Sequence, residues 1–228
     1  MLNKLVEDHK RSDIRYQPYS IPSHAIEKGI TTVRIGTHSG VLQVFGDHNL
    51  MNLYAAWYAC RELGISEPDF ILAIGSFTGA AKRLELLARN EGTIVYRDFA
   101  HAPSKVKATM EAVKQQYPER KLIAVLELHT YSSLNEQFMK EYKGAMDQAD
   151  AAAVFYSGHA LELKRMPPLP KEKNCGRFWE KDLVVLNQKE ELVQWLQSQS
   201  YQNANLLLMS SGNYDGIDML TFAKKVTN

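Results

Sequence analysis

Cysteine is scarce in this sequence of 228 residues: Cys60 and Cys175 are its two cysteines, and neither belongs to a Cys-x-x-Cys pair. A disulfide scaffold or a structural zinc site is therefore not expected, which favours a reducing compartment. No apolar run approaches the roughly 20 residues that a membrane span needs, and the charged N-terminus is unlike a signal peptide. The net charge is +1, so bulk electrostatics favour neither nucleic acid nor membrane as a partner. We expect a cytoplasmic protein.

Two nucleotide-binding motifs are absent as well. The phosphate loop G-x-x-x-x-G-K-[ST] requires a Gly-Lys dipeptide, which the chain lacks, and G-x-G-x-x-G does not occur either. A self-contained nucleotide hydrolase or a dinucleotide-dependent dehydrogenase is therefore not expected. Any nucleotide chemistry must use parts that lie outside these motifs.

Residues 1–91 are predicted to form a first domain that contains a hairpin and two helices. TTVRIGTHSGVLQVFG alternates β-branched and polar residues around a His-Ser-Gly turn, which is typical of a hairpin. Apolar residues then recur at helical spacing, with Asp47 as the expected N-cap and Gly64 as the stop. A shorter helix is expected after Ser66 as its N-cap, followed by a glycine-containing loop up to Gly92.

Residues 92–228 show a different pattern, in which short apolar strands alternate with amphipathic helices. This pattern predicts an α/β fold with a Rossmann-like, mainly parallel sheet covered by helices on both faces. The expected strands are TIVYRDF, KLIAVLEL, AAAVFYS, LVVL and NLLLMSS; the expected helices are 103–118, 134–149, 188–199 and one from about Asp215. Residues 164–182 are rich in Pro and Lys and are expected to form an exposed loop.

Polar side chains follow the predicted strands, at the edge where such sheets bind ligands. Asp98 and His101 end one strand: Asp98 either completes local turn bonds or accepts hydrogen bonds from a ribose. His129 and His159 follow two further strands. No two histidines have the spacing of a metal-ligand pair, so no metal site is predicted from these residues.

A second cluster of polar residues lies at the N-terminus of the helix that begins near Asp47. His48, Asn49 and Asn52 either satisfy local backbone groups or read the edge of a purine ring, because carboxamides both donate and accept hydrogen bonds. Arg83, which follows the glycine of FTGAAK, is either a solvated charge or a donor to a phosphate.

Taken in order, FGDHNLMNLYAA, FTGAAKRLE, DFAHAPSKVKATMEAV, ELHTYSS and MSSGNYDGI resemble the Mur ligase family over nearly the whole chain. These ATP-dependent enzymes add amino acids or peptides to UDP-N-acetylmuramate. The resemblance implies a fragment, with the end of the central ATP-binding domain in residues 1–91 and the C-terminal domain in residues 92–228. The family's phosphate loop, Mg²⁺ ligands and modified lysine belong to other segments.

The resemblance also implies roles for single residues. His48, Asn49 and Asn52 match the adenine-side motif, Asp98 matches an aspartate near the ribose, and His101 belongs to the same cofactor motif. Arg83 matches the arginine that faces the ATP phosphates and is the expected catalytic residue. The family reaction makes an acyl phosphate from the substrate carboxylate and ATP, which the incoming amine attacks, so Arg83 is expected to serve the transition state.

The incoming amine is expected at the ends of two C-terminal strands. Its carboxylate and ammonium require donors and an acidic acceptor, for which we predict Thr130, Ser132 and Ser133 as donors, Gly212 for close backbone approach and Asp215 for the ammonium. The alternative is that Asp215 only caps the last helix.

Several identities within and beyond the family stay open. DFAHAPSK and MSSGNYDG are most similar to the members that attach a diaminopimelate-containing tripeptide, and the L-alanine-adding members come second. A single histidine before Pro103, and His129-Thr130 where relatives carry arginine, leave the peptide undetermined. A folylpolyglutamate synthetase-like ligase and a non-catalytic binding module of the same fold also fit the sequence. The chain alone is expected to be inactive.

Overall fold

The computed structural model describes residues 2–9, 11–165 and 183–228. After helix α1 (Leu2–Asp8), β1 (His24–Glu27), β2 (Ile30–Ile35) and β3 (His38–Leu42) form an antiparallel sheet in the order β1-β2-β3. The predicted hairpin is confirmed, but its turn lies at Gly36-Thr37. The predicted His-Ser-Gly turn is wrong, because these residues begin β3 and His38 pairs with Ile35. Gly36 supplies the left-handed backbone, with φ +55°, that this turn requires.

Helices α2 (Asp47–Glu62) and α3 (Glu67–Gly75) cover this sheet. Ser66 is the N-cap of α3 as predicted, since its hydroxyl accepts the Asp69 N–H at 3.3 Å. Asp47 is not an N-cap: it is the first helical residue, and Gly46 takes the cap position. Gly64 ends α2 with φ +83°, as predicted. The core shared by these elements consists of Val33, Ile35, Leu42, Leu50, Leu53, Trp57 and Phe70.

A six-stranded sheet forms the second part of the described chain. Its strands are β4 (Glu85–Arg89), β5 (Thr93–Asp98), β6 (Lys121–Glu127), β7 (Ala151–Phe155), β8 (Val184–Leu186) and β9 (Ala204–Met209). Their order is β4-β5-β9-β6-β7-β8, and only the edge strand β4 is antiparallel to its neighbour. The predicted α/β fold with a mainly parallel sheet is confirmed. The predicted glycine loop up to Gly92 is wrong over β4, which pairs with β5.

Helices cover both faces of this sheet. On one face α4 (Pro103–Gln116) packs through Val106, Met110 and Val113. On the other face, α7 (Lys189–Gln197) and α8 (Met219–Thr227) contribute Leu192, Leu196, Met219 and Ala223. The strands between them are buried on both sides, which explains their continuous apolar sequences.

Two predicted helices differ in the structure. In place of a helix over 134–149 there is one α-turn, α5 (Glu136–Met139), a 3₁₀ turn (Lys140–Tyr142) and irregular chain, because Gly144 takes φ +75°. Residues 158–163 form a further short helix, α6 (Gly158–Leu163). The last helix begins at Met219 and not near Asp215, which lies in a 3₁₀ turn (Tyr214–Gly216).

The division into domains 1–91 and 92–228 stays a prediction. The six-stranded sheet begins with Glu85, a few residues before the predicted boundary. Most of the predicted loop 164–182, with Cys175, lies outside the described residues. Across the described ranges, every helix is too short or too polar to cross a bilayer.

Candidate functional site

The start of α2, the loop before β4, the end of β5 and the start of α4 line one cleft of about 680 Å³. This volume is in the range of small-molecule sites. The cleft contains all six side chains that the sequence predicted on the cofactor side: His48, Asn49, Asn52, Arg83, Asp98 and His101. Residues from two parts of the chain are thus brought together.

Gly46 sets how α2 approaches α4 at the back of this cleft. Its φ of +87° is a left-handed value, and a Cβ on this residue would lie 2.6 Å from the Cβ of Ala112 in α4. This close approach places the start of α2 against α4. At that end of α2, the Asn49 side chain donates to the Phe45 carbonyl at 2.9 Å, which leaves its amide oxygen for another partner, while Asn52 is exposed.

Asp98 connects the end of β5 to the loop that carries Arg83. One carboxylate oxygen accepts the Leu84 N–H at 2.7 Å, and the other accepts the Ala100 N–H at 2.6 Å. Leu84 has a left-handed φ of +44°, so the buried carboxylate holds this loop in an unusual conformation. The local turn bonds considered as the alternative role of Asp98 are therefore present. The Thr109 hydroxyl also donates to Oδ1 at 3.4 Å, so a further lone pair stays on Oδ2, which accepts the Leu84 N–H alone.

Two cations face the cleft. Arg83 is exposed in the loop before β4, and Lys105 is exposed in the first turn of α4. Neither forms an ion pair with any residue in the described ranges. The sequence interpretation missed Lys105. The available signal was its place two residues after Pro103, at the start of the helix that follows Asp98.

The two histidines of the cleft differ in environment. Burial lowers the pKa of His48; nearby Lys105 and Arg83 lower it further, while Asp98 and Asp47 oppose the shift. His101 Nδ1 lies 2.8 Å from the Phe99 carbonyl, and its ring packs edge-to-face on Phe99 at 5.1 Å. The His101 carbonyl accepts a hydrogen bond from the buried Tyr142 hydroxyl. His101 is thus fixed at the cleft rim.

The predicted donors after β6 are occupied by one another. The Ser133 hydroxyl donates to the Thr130 carbonyl at 3.0 Å and accepts the Thr130 N–H at 3.0 Å. The hydroxyls of Thr130 and Ser132 lie 3.1 Å apart. Ser133 is buried, whereas Ser132 is exposed. These residues form a tight turn after β6, and their role towards a substrate stays a prediction.

The loop after β9 brings Gly212 against the end of β6, next to that turn. A Cβ on Gly212 would lie 2.8 Å from the His129 ring and 2.9 Å from Oε2 of Glu127. Asp215 is exposed and does not cap the last helix: the N-cap is Asp218, whose carboxylate accepts the Leu220 and Thr221 N–H groups. The helix-cap alternative for Asp215 is therefore wrong. The sequence interpretation also missed Glu127, although a carboxylate at the end of an apolar strand is a visible signal.

Another cleft, of about 670 Å³, lies between β3 and β4. Its floor consists of Phe45, Tyr96 and Tyr117, and the two tyrosine hydroxyls lie 3.0 Å apart. It contains none of the predicted site residues. Glu85 at its rim is paired with Arg97. Arg89 also lines this cleft and is exposed. The cleft with Arg83 and Lys105 has two such cations together with the six predicted side chains, and is the better candidate for an anionic ligand.

No group of three or more His, Cys, Asp or Glu side chains suited to a metal ion occurs within residues 2–9, 11–165 and 183–228.

Comparison with known sequences relates the chain to one protein family. Residues 82–212, more than half of the chain, match the family described as "Mur ligase, glutamate ligase domain". The UDP-N-acetylmuramate–L-alanine ligase of Paenarthrobacter aurescens (strain TC1) is 39% identical over 119 residues, which are 52% of this chain and 26% of the relative. That of Clostridium kluyveri is 30% identical over 174 residues, 75% of this chain and 37% of the relative. The matched part of the chain thus spans 26–37% of the length of these relatives.

Solved structures agree on the fold. UDP-N-acetylmuramate-alanine ligase MurC from Thermotoga maritima has a TM-score of 0.67 at 15% identity over 93% of this chain and 46% of its own. MurF ligase from the same organism, in complex with ADP, has a TM-score of 0.60 at 16% identity over 90% of this chain and 44% of its own. With the match over residues 82–212, these findings show that the chain belongs to the Mur ligase family.

Proposed function

We propose that this chain is part of an ATP-dependent ligase that forms an amide bond between UDP-N-acetylmuramate and an amino acid or peptide in the cytoplasm, and that its cleft binds the ATP. The observation that carries the proposal is the meeting of six predicted side chains in one cleft. Lys105 adds a second cation beside Arg83, and neither forms an ion pair within the described ranges. Membership of the Mur ligase family supports it.

The cleft offers separate partners for the parts of a nucleotide. The free amide oxygen of Asn49 and the exposed amide of Asn52 suit the edge of a purine base. Oδ2 of Asp98 keeps a lone pair for a ribose hydroxyl. Arg83 and Lys105 suit the phosphates, because an exposed guanidinium and ammonium without acidic partners gain charge-assisted hydrogen bonds on binding an anion.

Arg83 is the proposed catalytic residue. Phosphoryl transfer to the substrate carboxylate builds up negative charge that a positioned guanidinium stabilises. Asp98 holds the backbone next to Arg83, so it positions this guanidinium indirectly. Mg²⁺ bound with ATP would supply further charge neutralisation, and we propose that other parts of the ligase hold it.

The amine substrate is proposed to lie at the ends of β6 and β9, near Gly212 and Asp215. The names of the matched relatives favour L-alanine as this amine. The diaminopimelate-containing tripeptide, which DFAHAPSK and MSSGNYDG suggest, is the second candidate. Measuring ligation of each amine to UDP-N-acetylmuramate by the full-length ligase decides between them: the preferred amine has the higher kcat/KM.

The nucleotide role can be tested on this chain alone by calorimetric titration with ADP and adenosine. We expect ADP to bind more tightly than adenosine, and Arg83→Ala and Lys105→Ala each to weaken ADP about tenfold without affecting adenosine. Lys107→Ala is the matched control, because Lys107 is an exposed lysine of α4 outside the cleft lining. Equal affinity of the wild-type chain for ADP and adenosine would contradict the proposed site.

Turnover is a separate matter. The sequence contains no phosphate loop, so we propose that the 228-residue chain hydrolyses no ATP by itself. Metal-dependent ATP hydrolysis by the purified chain, lost in Arg83→Ala, would overturn this.

A further inference from the structure

Glu127 is a buried carboxylate, 2% exposed, at the end of β6. Its Oε2 atom accepts two hydrogen bonds from the loop after β9, one from the Ser210 hydroxyl and one from the Tyr214 N–H at 2.9 Å. Its Oε1 atom lies 3.9 Å from Nδ1 of His129. A buried carboxylate without partners is costly, so this arrangement ties the end of β6 to the loop.

The loop that Glu127 holds has an unfavourable backbone. Tyr214 and Asp215 have φ values of +53° and +55°, in the left-handed region that residues with a side chain rarely adopt, and Gly216 follows with +80°. Such conformations persist where the surroundings impose them. Here the Tyr214 ring is buried, its hydroxyl donates to the Val125 carbonyl at 3.3 Å, and its N–H is fixed by Glu127.

The same loop lies between the two proposed substrate sites. The Ser210 N–H donates to the Asp98 carbonyl at 2.9 Å, at the nucleotide cleft. The Ser210 hydroxyl accepts the Gly212 N–H at 2.7 Å, and Gly212 has no room for a Cβ beside Glu127 and His129. Glu127 therefore fixes the segment that carries Gly212 and Asp215.

We propose that Glu127 is a positioning residue for the incoming amine: it holds the loop Ser210–Gly216, with its left-handed turn at Tyr214–Gly216, and thereby sets the amine site at the ends of β6 and β9. This inference rests on the proposed function, because the amine site is part of it. Glu127 itself contacts the loop and acts on the amine through it.

The hydrogen bonds suggest two informative variants of Glu127. Both loop bonds end on one oxygen, Oε2, so the carbonyl oxygen of Glu127→Gln can accept both of them. Glu127→Ala removes both. Glu119→Ala is a matched control that deletes an exposed carboxylate just before β6. Ser210→Ala removes one donor to Glu127 and the acceptor for Gly212, and so tests the loop independently.

The first measurement is amide hydrogen exchange of the loop in the 228-residue chain. We expect the Tyr214 N–H to exchange about tenfold faster in Glu127→Ala than in wild type, and at a rate close to wild type in Glu127→Gln and Glu119→Ala. In Ser210→Ala we expect the Gly212 N–H to exchange faster than in wild type. Unchanged exchange in Glu127→Ala would overturn the inference.

Binding is measured next, by NMR titration with L-alanine and with the tripeptide L-alanyl-γ-D-glutamyl-meso-diaminopimelate. For the amine that binds the wild-type chain, we expect the affinity to fall at least about fivefold in Glu127→Ala and to return to the wild-type value in Glu127→Gln. The ADP affinity should stay unchanged in both variants. A loosened loop with unchanged amine affinity, or an equal loss of ADP and amine affinity, would show a merely structural role. If the wild-type chain binds neither amine, the proposed amine site fails and the inference falls with it.

Discussion

Replacing Gly46 with alanine should destabilise this protein more than the same change at Gly64 or Gly92. Gly46 has φ +87°, and its added Cβ would lie 2.6 Å from the Cβ of Ala112 in α4. Gly64 has a similar φ of +83° but open space around it. Gly92 has no left-handed φ, and its nearest neighbours would lie at 3.7 and 3.9 Å. Gly64→Ala therefore tests a positive φ without steric contact, Gly92→Ala tests neither, and Gly46→Ala combines a positive φ at ψ 143° with steric contact.

The expected losses follow from these differences. A side chain in the left-handed region costs about 1–2 kcal/mol, which is all that Gly64→Ala should lose. Gly46→Ala adds a contact in a packed helix interface, which costs about 1–3 kcal/mol more, so we expect a total of roughly 3 kcal/mol. Gly92→Ala should stay within about 0.5 kcal/mol. In a chain of this size, 3 kcal/mol corresponds to a fall in Tm of roughly 6–12 °C.

Thermal unfolding followed by circular dichroism, with urea unfolding as the second measurement, checks these values. Because the contact with Ala112 lies beside His48, whose Cε1 would be 3.3 Å from the new Cβ, Gly46→Ala should also weaken ADP binding, whereas Gly64→Ala should not. Equal Tm values for the Gly46 and Gly64 variants would refute the reasoning, since they would show that α2 and α4 are free to separate.

Three other predictions concern charged groups. Burial lowers the pKa of His48 below its ordinary value of 6.5. The stability that neutral His48 contributes is therefore present above pH 6.5 and is lost as the pH falls towards the folded-state pKa. The Tm difference between about pH 7.5 and 5.5 should be smaller in His48→Gln than in wild type, and an equal difference would contradict this. Asp98→Asn retains one acceptor oxygen for the N–H groups of Leu84 and Ala100, and should lower the free energy of unfolding in urea by about 1–3 kcal/mol. An unchanged free energy of unfolding would show that these two hydrogen bonds do not stabilise the fold. Asp218→Ala removes a helix cap and should lower the free energy of unfolding by about 1 kcal/mol in the same assay. Asp215 is not the cap, so Asp215→Ala should cost less than about 0.5 kcal/mol. The reverse order would be inconsistent with the assigned N-cap.

The sequence alone determined the central strands of the six-stranded sheet. β5, β6, β7 and β9 are predictable because they are short apolar runs, and such runs occur where both faces of a strand are covered. The sequence also located α4, through its periodicity, and the cap of α3, through Ser66, since both signals depend only on neighbouring residues. The six cofactor-side residues came from ordered motifs that resemble a family, and the structure places them in one cleft.

Tertiary structure decided what depends on distant partners. β4 has a mixed sequence, ELLAR, and is a strand because β5 pairs with its backbone. The predicted helix over 134–149 gave way to short turns because Tyr142, Ala145 and Met146 are drawn into the core beside α4, and Gly144 allows the chain to turn there.

The chemistry of single polar residues was decided at the same level. Asp215 and Asp218 are three residues apart, and only the left-handed turn at Tyr214–Gly216 shifts the helix start, and so the cap, to Asp218. Glu127 is the last residue of an apolar strand, and its partners Ser210 and Tyr214 follow 83 and 87 residues later in the sequence. A local apolar pattern determines which strands are buried, whereas the partner of a buried charge is fixed only when strands distant in the chain become neighbours in the sheet.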